Sequence, residues 1–176
     1  VLNPFHSMRL KFYILPVILL CGQMMHAQYY YTDLLTLEQN RKKMQLYRSQ
    51  QVHRVKVVSS DAEGRILQGF EAEQEVSKDH SLIRTLTRTD LSGTSVNSIL
   101  FDNTGRQIQS TDSLADVRTV IEYTYTLGKL SGIKSSTSTP ENSFSTETHE
   151  WYYDDKGHPK KMLLIRNGGG TGRIDL

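Results

Sequence analysis

The feature that most constrains this chain is a short pattern, Asp-x-x-Gly followed by a basic residue or histidine. It occurs three times, at Asp61–Arg65, Asp102–Arg106 and Asp154–His158. Aspartate at the first position of a type I turn accepts hydrogen bonds from backbone amides within the turn, and glycine adopts a positive φ without a Cβ clash. Each copy therefore predicts a hairpin that reverses the chain.

A calcium loop is the alternative reading of the same pattern. An EF-hand loop needs oxygen ligands at alternating positions, a glycine at the sixth and a glutamate at the twelfth, and none of the copies supplies them. A degenerate fourth copy, Tyr125–Lys129, keeps Gly128 but has no aspartate. The four glycines are 41, 23 and 29 residues apart. This uneven spacing predicts a meander of hairpins rather than an array of identical repeats.

The composition after Gln51 favours strands, because β-branched and aromatic residues alternate with polar ones between turn signals. Along Val117–Thr126, one side carries mostly apolar residues and the other carries polar ones, as in an antiparallel sheet with one packed face. The fold class predicted is mainly β (α+β): a strongly curved antiparallel meander sheet with one N-terminal amphipathic helix. The predicted strands are His53–Ser59, Arg65–Gln74, Ser81–Thr89, Thr94–Phe101, Gln107–Thr111, Arg118–Thr126, Lys129–Ser136, Thr146–Tyr153 and Lys160–Arg166.

The segment before these strands predicts the helix. Asp33–Gln51 contains no glycine or proline, and its apolar residues recur at helical spacing. The periodicity permits a start at Asp33, whereas Thr36 and Gln39 fit a capping box, which favours a start at Thr36 with Leu34 and Leu35 outside the helix. The apolar face comprises Leu34, Leu37, Met44 and Tyr47.

The N-terminus resembles an export signal. After Met8 come two basic residues and the apolar run Phe12–Leu20, and Ala27 offers the small residue that precedes a signal-peptidase cut. A membrane anchor needs about 20 apolar residues, and this run is roughly half that length. Lipidation of Cys21 is another alternative, although Leu20 stands where that processing site prefers a small residue. We therefore expect a signal peptide with an upstream extension over residues 1–27 and an exported protein that is periplasmic, on the cell surface or extracellular.

Cleavage at that point would leave one domain of neutral charge. The leader carries two of the 21 basic residues and none of the 19 acidic ones, so the formal net charge falls from +2 to zero. A neutral surface argues against nucleic acid as a partner, because phosphate binding needs a concentrated cationic patch. With Cys21 removed, no cysteine remains for a disulfide. We expect a single β-rich domain over residues 28–167, a flexible glycine-rich tail over residues 168–176, and no transmembrane span in the mature chain.

No catalytic or cofactor motif stands out. A nucleophile elbow, a phosphate loop and a dinucleotide fingerprint are all missing from the sequence. Glu147 and His149 would share one face of a strand, as an acid–base pair or as two metal ligands. Two ligands make a weak metal site, and a polar cross-strand pair beside Trp151 explains the same residues. The sequence therefore predicts no catalytic residue, no metal and no cofactor.

Aromatic residues supply the candidate binding surface. On a strand, Trp151 and Tyr153 would point one way and Tyr152 the other. If the outer ring joined Tyr123 or Tyr125 of a neighbouring strand, the rings would form a platform for a sugar, a peptide or a lipid. Ordinary core and cross-strand packing is the alternative. The predicted binding residues are Trp151, Tyr152, Tyr153, Tyr123 and Tyr125.

The stretch Phe101–Arg106, an aromatic residue followed by Asp-x-x-Gly-Arg, resembles the hairpin unit of bacterial YD-repeat (RHS-like) proteins, and Tyr153–Gly157 matches it in part. That resemblance implies an exported β-hairpin protein. Unlike proteins of that family, this chain has few, irregularly spaced copies and an N-terminal helix. We therefore do not expect it to form the encapsulating shell of that family. As a whole, the chain resembles small secreted proteins of Gram-negative bacteria, which implies a location and no activity.

These observations favour an exported, non-enzymatic binding or structural protein of the cell envelope. One alternative is a carrier of a lipid or other apolar ligand, in which a half-barrel folds over a pocket. A more distant alternative is an exported hydrolase. An apolar cavity between the helix and the sheet would favour the carrier, and a filled core would favour the structural role.

Overall fold

The computed structural model describes residues 31–66, 68–141, 144–167 and 171–175. The predicted leader and its Cys21 lie outside these residues. The chain divides between Thr36 and Leu37 into two units. In the first unit, the described residues are helical. The sheet described below belongs to the second.

The described residues form one helix and a ten-stranded sheet in which every neighbouring pair is antiparallel and follows chain order. The fold is therefore mainly β, an antiparallel meander with one helix, as the sequence predicts; its strong curvature stays a prediction. The helix, α1, covers residues 31–49. The strands are β1 (Arg54–Val57), β2 (Phe70–Val76), β3 (Leu82–Thr89), β4 (Gly93–Phe101), β5 (Gln107–Leu114), β6 (Val117–Thr126), β7 (Lys129–Ser138), β8 (Phe144–Tyr153), β9 (Pro159–Arg166) and β10 (Thr171–Asp175).

The three aspartate–glycine copies are chain reversals, as predicted. Gly64, Gly105 and Gly157 have φ values of 81°, 80° and 85°, and the amide of each bonds the carbonyl of the aspartate three residues earlier. The degenerate copy also turns the chain, with φ of 80° at Gly128. The last three of these four turns join β4 to β5, β6 to β7 and β8 to β9. In a meander, alternate connections lie at the same end of the sheet, so these three turns share one end.

The register assigns two different faces to the sheet. Cross-strand partners share a face, so Val76, Ile83 and Ile99 lie on one side, together with Ile133 and Leu164 farther along. Met44 of α1 packs on this side against Val76, Ile83 and Phe101, so it is called the helix face below. On the opposite face, charged residues of neighbouring strands pair, such as Arg88 with Glu71. The predicted alternation between a packed face and a wet face is confirmed.

The boundaries of α1 differ from the prediction at both ends. Residues 31–35 are helical, so Thr36 lies inside the helix and does not cap it. The helix ends at residue 49, because Gln51 adopts a φ of 52° and the Val52 amide bonds the Tyr47 carbonyl. Such a left-handed residue after the last turn closes helices in general. Capping patterns are short, and here the local signal was wrong.

The predicted strand limits agree with the structure to within three residues except at the start of β2, and one strand was not predicted. The predicted strand Arg65–Gln74 begins at Phe70 instead, because Gly69 adopts a φ of 83° and Ile66 makes only a lone bridge to Ser60. The segment Thr171–Asp175, within the predicted flexible tail, pairs with β9 as a tenth strand. Glycines weaken a strand, but the ladder uses backbone groups that a glycine also has. That strand was not predicted.

Candidate functional site

The predicted aromatic residues separate onto the two faces of the sheet. Through their cross-strand partners, Tyr123, Tyr125, Trp151 and Tyr153 lie on the helix face, whereas Tyr152 lies on the opposite face. Tyr125 is on β6 and Tyr153 on β8, with β7 between them. The structure therefore puts four of the five rings on one face and the fifth on the other.

Tyr125 is fixed by the preceding hairpin. Its hydroxyl donates a hydrogen bond of 2.7 Å to the carbonyl of Gln107, and the Arg106 guanidinium lies 5.0 Å from the ring centroid. Burial, together with the charge of nearby groups, raises the pKa of Tyr125 to about 12. Because its hydroxyl stays protonated and donates to a backbone carbonyl, Tyr125 connects the β6–β7 hairpin to the β4–β5 hairpin.

Tyr153 repeats this arrangement one hairpin later. Its hydroxyl donates to the Leu130 carbonyl at 2.8 Å, and the Lys129 ammonium lies 5.3 Å from the ring centroid. Burial raises the pKa of Tyr153 as well. We call these two contacts the tyrosine ladder: each tyrosine binds the carbonyl that follows the basic turn residue of the previous hairpin. Each tyrosine also sits where the strand register shifts by one residue.

Trp151 is buried, with 4% of its surface exposed, opposite Met162 of β9. Its indole N–H is also buried and has no hydrogen-bond acceptor within the described ranges. Leaving such a donor unpaired costs about 1–3 kcal/mol. The position of Trp151 is that of a packing residue, since its ring is closed off from solvent.

Tyr152 is the exposed member of the set, at 41%. Its hydroxyl donates to Glu150 at 2.9 Å, and the Lys161 ammonium lies 4.1 Å from its ring centroid. The hydrogen bond to Glu150 raises the pKa of Tyr152. A platform that combines Tyr152 with the other rings is not formed on one face, and a role of each ring in binding stays a prediction.

Glu147 and His149 do share a face of β8, as expected. His149 Nε2 lies 2.9 Å from Glu147 Oε1, while the Arg166 Nε donates to Glu147 Oε2 at 2.7 Å. Burial raises the pKa of Glu147, but the hydrogen bonds from Arg166 and His149 outweigh it and lower the pKa. Both carboxylate oxygens are thus engaged and the carboxylate is a weak base. Across the described ranges, no group of three or more His, Cys, Asp or Glu residues could hold a metal ion.

Sequence reasoning missed the surface around β1. An open groove of about 760 Å³ lies beside its start, lined by four basic or imidazole side chains, one carboxylate, Ser77 and the apolar side chains of Val76 and Leu82. A second groove of about 370 Å³ lies at its end and is lined in part by the exposed apolar side chains of Val57, Val58, Ile66 and Phe70. The charge pattern that marks this surface is visible in the sequence. Positive residues alternate along Arg54-Val-Lys-Val57, and negative residues alternate along Glu71-Ala-Glu-Gln-Glu75, the stretch that pairs with it in the sheet.

His53 lines the first groove and its ring lies 5.1 Å from that of His80, centroid to centroid. His80 is buried in the β2–β3 turn with φ of 54°, and its Nε2 finds no partner in the described part of the chain. Two imidazoles fall short of the three or four ligands of a protein zinc site. The pair is therefore a packing contact at the edge of the groove.

Comparison of the chain with protein-family models, with curated proteins and with solved structures found no match. Within the described residues, no helix has the length and apolar character needed to cross a membrane.

Proposed function

We propose that this chain is an exported, non-enzymatic protein of the cell envelope that works by binding or by structural support. The observation that carries the proposal is the packing between α1 and the sheet. Met44 is only 1% exposed and fills the space against Val76, Ile83 and Phe101, with Tyr47 and Ile99 beside them. A lipid carrier would need a cavity for its ligand between the helix and the sheet. The packed side chains around Met44 occupy that space, which supports a binding or structural role over a carrier.

Polar contacts between α1 and the sheet support the same reading. Asn40 donates to the Gln107 side chain at 2.8 Å, and the Tyr47 hydroxyl donates to the Gln74 side chain at 2.9 Å. These bonds fix the helix at both sides of Met44. The hydrogen bonds of the tyrosine ladder likewise fix neighbouring hairpins to each other. A scaffold with its helix and turns fixed in this way suits presentation of a surface rather than opening for a ligand.

The carrier alternative has a direct test. The purified full chain is titrated with a fluorescent fatty-acid probe, and its organic extract is analysed for lipid by mass spectrometry. The structural or binding role predicts neither stoichiometric probe uptake nor co-purified lipid. One probe per chain, displaced by unlabelled fatty acid, would contradict the proposal and establish the carrier.

Export has an independent test. Intact-mass analysis of the protein from its natural cells is expected to show Gln28 as the first residue and no lipid. A lipidated Cys21 would replace cleavage at Ala27 and keep the envelope location. An unprocessed chain in the cytosolic fraction would overturn the proposed location. The resemblance to YD-repeat hairpins belongs to the same proposal, and it implies the same exported setting.

A further inference from the structure

Strand β1 is an edge of the sheet that the described strands form. It is first in the strand order and pairs with β2 alone among the described strands. The His53 carbonyl accepts the Val76 amide at 2.9 Å, so His53 bonds toward β2. Because these bonds alternate along an antiparallel strand, Val55 and Val57 also bond toward β2, and Arg54 and Lys56 direct their amides and carbonyls outward. The edge therefore offers backbone partners to an added strand.

The exposed face beside this edge has columns of alternating charge. Arg84 and Arg88 of β3 stand opposite Glu75 and Glu71 of β2. The glutamates of β2 in turn stand opposite the cations of β1, Glu75 opposite Arg54 and Glu73 opposite Lys56. The charge thus changes sign from each strand to the next, and the outermost column, on β1, is positive.

Ion-pair distances show how far that outer charge is already matched. Arg54 contacts Glu73 at 2.9 Å and Glu75 at 3.0 Å. Lys56 is exposed and has no carboxylate partner in the part of the chain that the structure describes. Opposite charges directly across two strands stabilise their pairing, and like charges oppose it. A strand added outside β1 therefore gains from carboxylates next to Lys56.

The grooves at the two ends of β1 extend the same preference. The first is lined by the cations Arg54, Lys78 and Arg84, by one carboxylate, Glu75, and by the apolar side chains of Val76 and Leu82, so its charged lining is net positive. The second has the exposed apolar residues Val57, Val58, Ile66 and Phe70. An occupant that follows the edge would meet cations at one end and apolar side chains at the other.

Lysine on an edge strand is also a general device against unwanted pairing. Here it excludes one occupant in particular, a second copy of β1, because that pairing would bring Arg54 and Lys56 against the same cations. Exclusion of the copy and attraction of an acid together define specificity. We propose that β1 is the docking strand for an extended acidic segment of a partner protein, which adds a further strand to the sheet and sets carboxylates beside Arg54 and Lys56. The proposal rests on the binding role given above and names its surface and partner.

The test uses the folded full chain and two synthetic peptides. One is FEAEQEV, the sequence of Phe70–Val76, which is complementary to β1 in the fold itself. The other, FKAKQKV, reverses its charges. Fluorescence anisotropy should show binding of the acidic peptide that weakens with added salt, and little binding of the basic one. Equal binding of both peptides, or of neither, would overturn the proposal.

A matched pair of variants locates the site. Lys56→Glu should weaken binding of the acidic peptide by roughly tenfold and strengthen binding of the basic peptide, since attraction becomes repulsion. Lys134→Glu is the control, because Lys134 is also exposed and also stands opposite a glutamate, Glu122, but lies on the interior strand β7. Equal losses in the two variants would overturn the assignment to β1.

Proline separates edge addition from displacement of β2 by the peptide. Lys56→Pro removes the outward amide, and Lys56→Gln removes the charge alone; proline is tolerated on an edge where the amide faces solvent. Edge addition predicts weaker binding in the proline variant than in the glutamine variant. Equal binding in the two would contradict it. Circular dichroism and thermal melts confirm that each variant is folded. Failure of these experiments, with the lipid and export tests passed, would leave structural support as the role.

Discussion

Two of the aspartate–glycine turns have the same local bonds and very different surroundings. In both, the first oxygen of the aspartate accepts amides within the turn, and the second accepts the Nε of the arginine four residues on: Asp61 with Arg65 at 2.7 Å and Asp102 with Arg106 at 2.8 Å. The Asp61 turn is closed by an isolated bridge between Ser60 and Ile66, and Ile66 is 71% exposed. The Asp102 turn follows Phe101, which is 3% exposed in the core.

The two turns form the same hydrogen bonds within themselves, but the contribution of each turn to the stability of the domain depends on the residues that surround it. Arg106 also lies over the Tyr125 ring of the next hairpin, whereas Arg65 contacts Asp61 and Glu63 of its own turn. The same sequence pattern thus closes an exposed loop in one place and joins hairpins to each other in the other. Changes at the Asp102 turn should therefore affect the whole domain, and changes at the Asp61 turn should remain local.

The largest difference in stability between the two regions is expected for substitutions of the apolar residue next to each turn. Phe101→Ala should lower the free energy of unfolding by about 3–5 kcal/mol, since it leaves a cavity among Met44, Val76 and Ile83. Ile66→Ala should change it by less than about 0.5 kcal/mol, because the side chain is exposed. Urea denaturation followed by circular dichroism measures both. Similar values for the two variants would mean that the regions do not differ as described.

The turn glycines come next. A Cβ at Gly64 or Gly105 would meet nothing within 4 Å, so the cost of alanine at either is the left-handed backbone, about 1–2 kcal/mol. Gly105→Ala should lower global stability by that amount. Gly64→Ala should lower it less, because its turn closes on a single bridge and can open alone. Hydrogen exchange of the two turns distinguishes local opening from global unfolding, and a larger global loss for Gly64→Ala would refute the distinction.

The tyrosine ladder predicts a smaller effect. Tyr125→Phe and Tyr153→Phe each leave a backbone carbonyl without its hydroxyl donor and should cost about 1 kcal/mol. Tyr152→Phe is the matched control: its exposed hydroxyl bonds the Glu150 side chain rather than a backbone carbonyl, so the change should cost less than about 0.5 kcal/mol. Chemical denaturation of the three variants in parallel tests this order. If Tyr152→Phe were the most damaging, the ladder would not bracket the hairpins.

The smallest contrast concerns acid. Burial raises the pKa of Asp102, but hydrogen bonds from the Thr104 hydroxyl and from the Arg106 amide and guanidinium outweigh it and lower the pKa to about 2. The unfolded value is roughly 4, so the contribution of Asp102 is present above about pH 4 and is lost as the pH falls through about 2. Asp102→Asn should therefore destabilise the protein near neutrality and have little effect near pH 2.

Asp61 gives the comparison at the exposed turn. The amide of Arg65 is the main group that lowers its pKa. Asp61→Asn should show the same direction of pH dependence with a smaller change in global stability. Unfolding curves for both variants across the acid range measure the difference. A larger dependence for Asp61→Asn would reverse the ranking of the two turns.

Several elements followed from the sequence because their causes are local. The turns at Gly105 and Gly157 depend on an aspartate and a glycine a few residues apart, and the alternation along β6 depends on period-two side chains. The limits of β2 and the pairing of β10 did not follow, because Gly69 and Gly172 weaken the strand pattern while the partner strands decide the outcome. Strand alternation correctly predicted that Tyr152 points away from Trp151 and Tyr153. Only the register of the intervening strand β7 put Tyr123 and Tyr125 on the face of Trp151 and Tyr153.

By itself, the sequence determined that this chain is a meander of hairpins with one amphipathic helix, since backbone turns and side-chain alternation are properties of neighbouring residues. Tertiary structure alone decided which turn lies beside the core, which carbonyl each tyrosine hydroxyl binds, and which of the described strands lie at the edges of the sheet. Those outcomes depend on residues far apart in the chain, such as Gln107 and Tyr125, whose approach is fixed only when the strands pair.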